Sequence, residues 1–240
     1  MTTPRFRSWA ITHPGAKRTH NEDAYVDRPD LGIWAVADGA GGHEAGEMAS
    51  SMIADALQGI PSGLSAAELL AHVRLAIEHT HAALREEAAR RGPDVLVAST
   101  VVVMLARGDH FACLWAGDSR AYLLRDGMLR QITRDHSLVQ ELLEAGAIGP
   151  EEAVNHPRGN VITRAVGAEL DQIELDKVSD RLLSGDRFLL CSDGLCKTLP
   201  EDELAHLLAS MDGTLPQVLV DAALALQASD NVTAVMVAVS

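Results

Sequence analysis

The stretch that decides the fold is Ile33-Trp34-Ala35-Val36-Ala37-Asp38-Gly39-Ala40-Gly41-Gly42-His43. Five apolar residues lead directly into a carboxylate, and three of the next four residues are glycine. An apolar run that ends in Asp-Gly is typical of a strand that finishes at a turn, and glycines let the backbone approach a ligand closely. Asp38 is therefore predicted to end a buried strand, either at a functional site or at an ordinary solvated turn.

The pairing of an apolar run with an aspartate occurs three more times along the chain. Asp118 and Asp193 each follow an apolar run, and Asp230 stands just before the last one. If these strand ends converge, four carboxylates share one site, where like charges raise one another's pKa unless cations are present. Oxygen ligands without a Cys or His-x-His pattern favour Mg²⁺ or Mn²⁺ over Zn²⁺. The sequence therefore predicts a magnesium or manganese site.

Composition excludes several classes of protein. The 240 residues, 47% of them hydrophobic, suit one well-filled domain, while a formal net charge of −14 argues against a nucleic-acid-binding surface. The longest apolar stretch, Val95 to Ala106, is too short to span a bilayer, and the N-terminus lacks the apolar segment of a signal peptide. Three cysteines without a CxxC pair suit a reducing compartment. We expect a cytoplasmic protein with no membrane or nucleic-acid partner.

The order of predicted elements indicates the fold class. Helical spacing predicts helices over 44–58 and from Ser65 to Gly92, and four strands joined by tight turns follow. A strand over 172–178 comes after an irregular segment at 146–167, which we interpret as a mobile flap. Two helices then precede a final strand. This order predicts two antiparallel sheets flanked by helices, an α+β sandwich in a single domain over residues 1–240.

Eight short polar motifs follow one another along essentially the whole chain. They are Arg-x-x-Asn-Glu-Asp at 18–23, Ala-Asp-Gly-x-Gly-Gly-His at 37–43, Gly-Asp-Ser-Arg at 117–120, Thr-Arg-Asp-His-Ser at 133–137, His-Pro-Arg-x-Asn at 156–160, Thr-Arg-Ala-Val-Gly at 163–167, Cys-Ser-Asp-Gly-Leu at 191–195 and Ser-Asp-Asn-Val-Thr at 229–233. In this order they resemble the motifs of the metal-dependent serine/threonine protein phosphatases of type 2C, the PPM family, in its short bacterial form. The resemblance implies a four-layer α-β-β-α sandwich with two central antiparallel sheets.

The resemblance also implies a set of metal ligands. Asp38 would bridge two Mn²⁺ or Mg²⁺ ions, with the Gly39 carbonyl on one of them, and Asp193 and Asp230 would hold the other ion. Hydroxide between the two ions would attack phosphorus in line, so that no protein nucleophile is needed.

Further residues complete the implied centre. Asp23, with help from Glu22, would act largely through metal-bound waters, and Asp118 would hold a weaker third ion. Arg18 would grip the phosphate, because its planar guanidinium matches phosphate oxygens. The cofactors implied are thus two, or three, divalent ions.

The leaving alkoxide of serine or threonine needs a proton, so a general acid is expected. His43 follows the glycine loop and is the hypothesis for that acid. Its rivals are a metal-bound water and His156 in the predicted flap.

The resulting hypothesis is a monomeric phosphoserine and phosphothreonine phosphatase that opposes a serine/threonine kinase and acts on phosphorylated proteins. The main alternative is a non-catalytic, phosphoprotein-binding member of the family, although such a protein should have lost Arg18 or a metal aspartate. A dedicated regulator of one signalling partner and a small-molecule phosphodiesterase also stay open.

Overall fold

The computed structural model describes residues 6–154, 156–168, 171–210 and 215–240, apart from the side chains of His43 and Leu215. These residues form eleven strands and seven helices. The strands are β1 (Phe6–His13), β2 (Asp23–Arg28), β3 (Ile33–Ala40), β4 (Ala98–Ser99), β5 (Val101–Arg107), β6 (His110–Ala116), β7 (Arg120–Arg125), β8 (Met128–Gln131), β9 (Asp176–Arg181), β10 (Arg187–Cys191) and β11 (Val232–Val239). The helices are α1 (His43–Gln58), α2 (Ala66–Arg91), α3 (Leu138–Glu144), α4 (Pro150–Val154), α5 (Asp193–Cys196), α6 (Glu201–Ala209) and α7 (Leu215–Ala225).

The strands make two antiparallel sheets. One has the order β1-β11-β10-β7-β8, and the other has the order β2-β3-β5-β6-β9, with β4 paired to the end of β3. The predicted tight turns join β5 to β6 and β7 to β8. In the second turn Asp126 and Gly127 have φ values of 53° and 77°, the left-handed conformation that a type I′ hairpin turn requires.

The two sheets face each other across an apolar core. Trp34 and Val36 of β3 pack there against Phe188 of β10 and Val235 of β11. The alternate residues of β3 point the other way, into the cluster formed with α1 and α2. Because both faces of the strand are covered, β3 has an uninterrupted apolar sequence and not an alternating one.

Helices form the outer layers. Helices α1 and α2 cover the β2-β3-β5-β6-β9 sheet, and α5, α6 and α7 cover the other sheet. The predicted α+β sandwich of four layers is therefore confirmed. The start of α2 has the predicted capping box, in which the Glu68 amide donates to Ser65 Oγ at 3.3 Å and the Ser65 amide donates to Glu68 Oε2 at 2.9 Å.

One predicted strand is displaced along the chain. The strand predicted over 172–178 lies at Asp176–Arg181 in the structure, as β9. The alternating residues behind that prediction, Ile173 and Leu175, are buried in the apolar cluster formed with α1 and α2. That strand is an edge strand with mostly exposed, charged residues, which suits an edge that must not pair with another chain.

The segment 146–167 contains the short helix α4 and two isolated bridges, Ser137 to Ile162 and Ser99 to Val166. Residue 155 of the predicted flap lies outside the described residues. The mobility of the flap stays a prediction, and so does the assignment of residues 1–240 to a single domain. In the described ranges, we find no helix with the length and apolar character needed to cross a membrane.

Candidate active site

The four strand-end aspartates converge on one cavity of about 270 Å³. Two of them come from each sheet: Asp38 and Asp118 end strands of one sheet, and Asp193 and Asp230 flank strands of the other. The lining includes Arg18, Asp38, Gly39, Asp118, Asp193 and Asp230. Residues that are up to 212 positions apart in the chain thus share one acidic centre.

The backbone of Asp38 is held on the adjacent β4–β5 segment. The Thr100 amide donates to the Asp38 carbonyl at 2.9 Å, and the Asp38 amide donates to Thr100 Oγ1 at 3.2 Å. Ser99 Oγ donates to the same carbonyl at 2.9 Å. Burial of the carboxyl group is the largest cause that raises the pKa of Asp38 well above its usual value. The negative charges of the neighbouring aspartates add to this shift; they are Asp23, Asp193, Asp118 and Asp230.

Asp23 lies beside Asp38, because the two residues are paired across β2 and β3. Its Oδ2 accepts hydrogen bonds from the hydroxyls of Ser192 at 2.8 Å and Thr233 at 2.6 Å. Its Oδ1 is buried and has no hydrogen-bond partner among the described residues. Burial raises the pKa of Asp23 to about 7, although the two hydroxyls oppose the shift.

These residues fit a hydrated divalent cation. The donors are carboxylate and carbonyl oxygens, the ligands that Mg²⁺ and Mn²⁺ prefer. The orphaned Oδ1 of Asp23 requires water or a cation, since buried polar atoms are almost always satisfied. Among the described residues there is no ready-made group of three Asp, Glu, His or Cys side chains at one point. A donor set of carboxylate and carbonyl oxygens suits Mg²⁺-like ions, which keep several waters and take few ligands directly from the protein.

Glycine allows Asp193 and Asp230 to approach each other. A Cβ built on Gly194 would lie 2.0 Å from the carbonyl oxygen of Asn231, so no larger residue fits between α5 and the loop before β11. The Asn231 side chain in turn accepts from the Glu22 amide at 2.8 Å and donates to the carbonyl oxygens of Pro14 and His20. Asn231 thereby ties the loop that carries Arg18 to the loop that carries Asp230.

Two cations neutralise part of this acidic centre. Arg18 Nη2 lies 2.8 Å from Asp230 Oδ2, with 53% of its side chain exposed. Lys197 Nζ lies 2.8 Å from both Asp118 Oδ2 and Asp193 Oδ2. Burial alone would lower the pKa of Lys197, but attraction to the two carboxylates outweighs it and raises that pKa.

Lys197 is a residue of the site that was not predicted from the sequence. Its signal was its position four residues after Asp193, which in one turn of helix returns a side chain to the same face. The hydroxyl donors Ser192 and Thr233 were also missed as partners of Asp23, although both lie within predicted motifs.

The histidines occupy separate places. His43 begins α1, but its side chain lies outside the described residues. His156 lines a neighbouring cavity of about 650 Å³ together with Lys197 and Asn160, and Asn160 also lines the acidic cavity. The roles predicted for both histidines stay predictions.

Comparison with known proteins identifies the class. The family model described as protein phosphatase 2C matches residues 15–227. The chain belongs to the protein phosphatase 2C family. The predicted family is thus confirmed, and so is the predicted enzyme class, a serine/threonine protein phosphatase, which the names of several relatives share.

Particular relatives span nearly the whole chain. Serine/threonine phosphatase stp of Listeria monocytogenes is 36% identical over 236 residues, which cover 94% of this chain and 93% of the relative. A solved structure of PppA, described as a key regulatory component of T6SS in Pseudomonas aeruginosa, is 44% identical, with a TM-score of 0.92 and 99% of both chains covered. The catalytic domain of the phosphatase PstP, solved in complex with two manganese ions, is 34% identical, with a TM-score of 0.83 and 99% of both chains covered.

Proposed function

We propose that the protein hydrolyses phosphoserine and phosphothreonine in phosphorylated proteins, with two Mn²⁺ or Mg²⁺ ions as cofactors. The observation that carries the proposal is the convergence of four strand-end aspartates and Arg18 on one cavity, in a chain of this family. The two manganese ions in the PstP structure support the choice of metal.

The same arrangement supports a proposed set of metal ligands. Asp38 and the Gly39 carbonyl, with Asp193 and Asp230 opposite, would hold the two ions. Asp23 would act through water, because its unpartnered Oδ1 faces no donor among the described residues. When bound, such a pair of ions supplies an activated water and offsets the charge of the phosphate.

Arg18 is proposed to bind the phosphate group of the substrate. Its guanidinium lies at the cavity beside Asp230, and its side chain is half exposed, so it can reach an incoming anion. The planar fork of arginine forms paired hydrogen bonds to phosphate oxygens. In a chain with net charge −14, such a local cation is needed to hold an anionic substrate.

His43 is proposed to donate the proton to the leaving alkoxide, with His156 or a water as the alternative donor. A general acid contributes about 10²–10⁴-fold when the leaving group is a poor one. His43→Gln should therefore slow hydrolysis of a phosphoserine peptide by about 10²-fold but leave hydrolysis of p-nitrophenyl phosphate, which has a good leaving group, nearly unchanged. His156→Gln, measured on the same two substrates, tests the alternative donor. Equal rates of wild type and His43→Gln on the peptide would exclude His43 as the acid.

The function is tested by phosphate release from a phosphothreonine peptide in Mn²⁺, in Mg²⁺ and in EDTA. We expect release that requires metal and that collapses in Asp193→Asn, while Asp221→Asn, an exposed aspartate on α7, serves as the matched control. Failure to release phosphate with either metal, from folded protein, would favour the non-catalytic, phosphoprotein-binding alternative. Cleavage of a bis-ester instead of the phosphopeptide would favour the phosphodiesterase.

A narrower role as a dedicated regulator of one signalling partner has support from the PppA structure, which is described as a key regulatory component of T6SS. A serine/threonine kinase that phosphorylates the same substrates is the proposed counterpart, and the proposed setting is a cytoplasmic monomer. Size-exclusion chromatography tests the monomer, and a screen of phosphopeptides tests the selectivity. Similar rates on unrelated phosphopeptides would argue against a dedicated regulator.

A further inference from the structure

Lys197 occupies the space between two aspartates of the acidic centre. Its ammonium nitrogen lies 2.8 Å from Oδ2 of Asp118 and 2.8 Å from Oδ2 of Asp193. The side chain of Asp118 is only 6% exposed, and that of Lys197 is 32% exposed. The ammonium group of this partly exposed side chain is therefore held by both carboxylates.

Asp118 depends on this contact for its neutralisation. Among the described residues, Lys197 is the one cation within ion-pairing distance of Asp118. Buried carboxylates need either a paired cation or a metal ion, and here a side chain already supplies the cation. A divalent ion bound directly between Asp118 and Asp193 would have to displace the ammonium group.

Asp193 is able to serve two partners. Both contacts from Lys197 use Oδ2 oxygens, and Oδ1 of Asp193 accepts no hydrogen bond from any described residue. Asp193 can thus present Oδ1 to a metal ion while Oδ2 keeps the ammonium group. A metal ion shared between Asp118 and Asp193, by contrast, would need the position between the two Oδ2 atoms that Lys197 holds.

We propose that Lys197 is a built-in cation that takes the place of a third metal ion, so that Asp118 is a partner of Lys197 and not a metal ligand. The inference rests on the proposed two-metal function and makes it more specific. A covalently attached ammonium group cannot dissociate, so this part of the centre is neutralised whatever the concentration of free metal. The protein should bind two divalent ions at saturation, and not three.

The test counts metal ions and does not depend on activity. Wild type, Lys197→Asp and Asp118→Asn are dialysed against saturating Mn²⁺, and bound manganese is measured per chain. We expect two ions on wild type and two on Asp118→Asn, because Asp118 holds lysine and not metal. We expect three on Lys197→Asp, which removes the ammonium group and adds a carboxylate. Lys177→Asp, the same change at an exposed position of β9, should keep two.

Three ions on wild type that fall to two in Asp118→Asn would overturn the inference and leave the phosphatase function intact. Two ions on a folded Lys197→Asp would also overturn it, because lysine would not be what excludes the third. If Lys197→Asp does not fold, the counts on wild type and Asp118→Asn still decide. Manganese bound by none of the variants, with no phosphate release, would instead refute the proposed function.

Discussion

The acidic and the basic halves of the site are built differently. Asp23 and Asp38 belong to paired strands: the Asp23 carboxylate accepts hydrogen bonds from two hydroxyls, and the backbone of Asp38 is hydrogen-bonded to Ser99 and Thr100. The cations Arg18 and Lys197 belong to a loop and to the residue after a short helix, and both side chains are partly exposed. The carboxylates thus lie on strands of the sheets, whereas the cationic side chains come from residues outside the strands.

This difference has an energetic reason. A strand end holds a carboxylate rigidly, as metal binding requires, but crowding several carboxylates costs free energy until a cation arrives. The half-exposed Arg18 side chain pays little desolvation and can change partners, whereas Lys197 is paired with two carboxylates at once. We therefore expect the carboxylates, the rigid half, to determine the catalytic rate. The cations form the movable half, in which Arg18 should determine substrate affinity and Lys197 the number of bound metal ions.

The largest expected effect comes from the rigid half. Asp38→Asn removes the proposed bridging ligand, and because the metal pair supplies several kcal/mol of transition-state stabilisation, phosphate release should fall by about 10³-fold. The same change should raise the melting temperature of the metal-free protein, since a buried charge with a raised pKa is lost. Calorimetry in EDTA measures the stability, and Asp109→Asn at an exposed position is the control. A metal-free variant less stable than wild type would contradict this account.

The movable half should give a smaller effect on activity. Arg18→Ala removes charge-assisted hydrogen bonds to phosphate, each worth about 1.5–3 kcal/mol, so kcat/KM should fall by about 10–100-fold. Most of the change should be in KM if Arg18 binds the ground state and the transition state equally. Arg130→Ala, an exposed arginine on β8, should leave both constants unchanged. An unchanged kcat/KM in Arg18→Ala would show that the cation only pairs with Asp230.

The smallest effect is on the pH dependence of stability without metal. The folded protein raises the pKa of Asp23 from 3.8 to about 7. The folded state thus binds this proton more tightly than the unfolded chain, and the corresponding stability is present below pH 3.8 and is lost as the pH rises through 7. In EDTA the melting temperature should fall by roughly 3 °C or more between pH 6 and pH 8.

Saturating Mn²⁺ should reduce this decline, because cations relieve the repulsion among the carboxylates. Melting curves at both pH values, with and without Mn²⁺, measure the difference. A metal-free protein that becomes more stable between pH 6 and pH 8 would show that ionisation of the buried carboxylates does not destabilise the folded state.

The contrast between the halves also explains what the sequence could predict. The apolar runs before Asp38, Asp118 and Asp193 predict strands, and a strand end places its aspartate at an edge. Four such ends indicated a shared metal site, which the cavity brings together. The spacing of four residues indicates the contact of Lys197 with Asp193, but the contact with Asp118, 79 residues away in the chain, has no local signal. No periodic pattern encodes an ion pair between a helix end and a distant strand.

The displaced strand has a related cause. Ile173 and Leu175 alternate as strand residues do, yet they precede the strand and are buried in the apolar cluster formed with α1 and α2. The real edge strand, β9, has the polar sequence Asp-Lys-Val-Ser-Asp-Arg and pairs with β6 along its backbone, with Val178 packed against the inter-sheet core. Alternating hydrophobic residues indicate which side chains are buried, not which backbone segment pairs with a strand. Here the buried segment comes first, and the segment that pairs with β6 follows it.

The position of β11 has a consequence for biosynthesis. This strand is near the C-terminal end of the chain, but it lies between β1 and β10, and Asp230 immediately precedes it. A nascent chain on the ribosome therefore has a gap within its first sheet until β11 emerges, and it lacks one aspartate of the cavity until Asp230 emerges. Ordering of β1, the earliest described strand, must wait for the latest one. The cavity and the first sheet therefore cannot be completed before β11 has been synthesised.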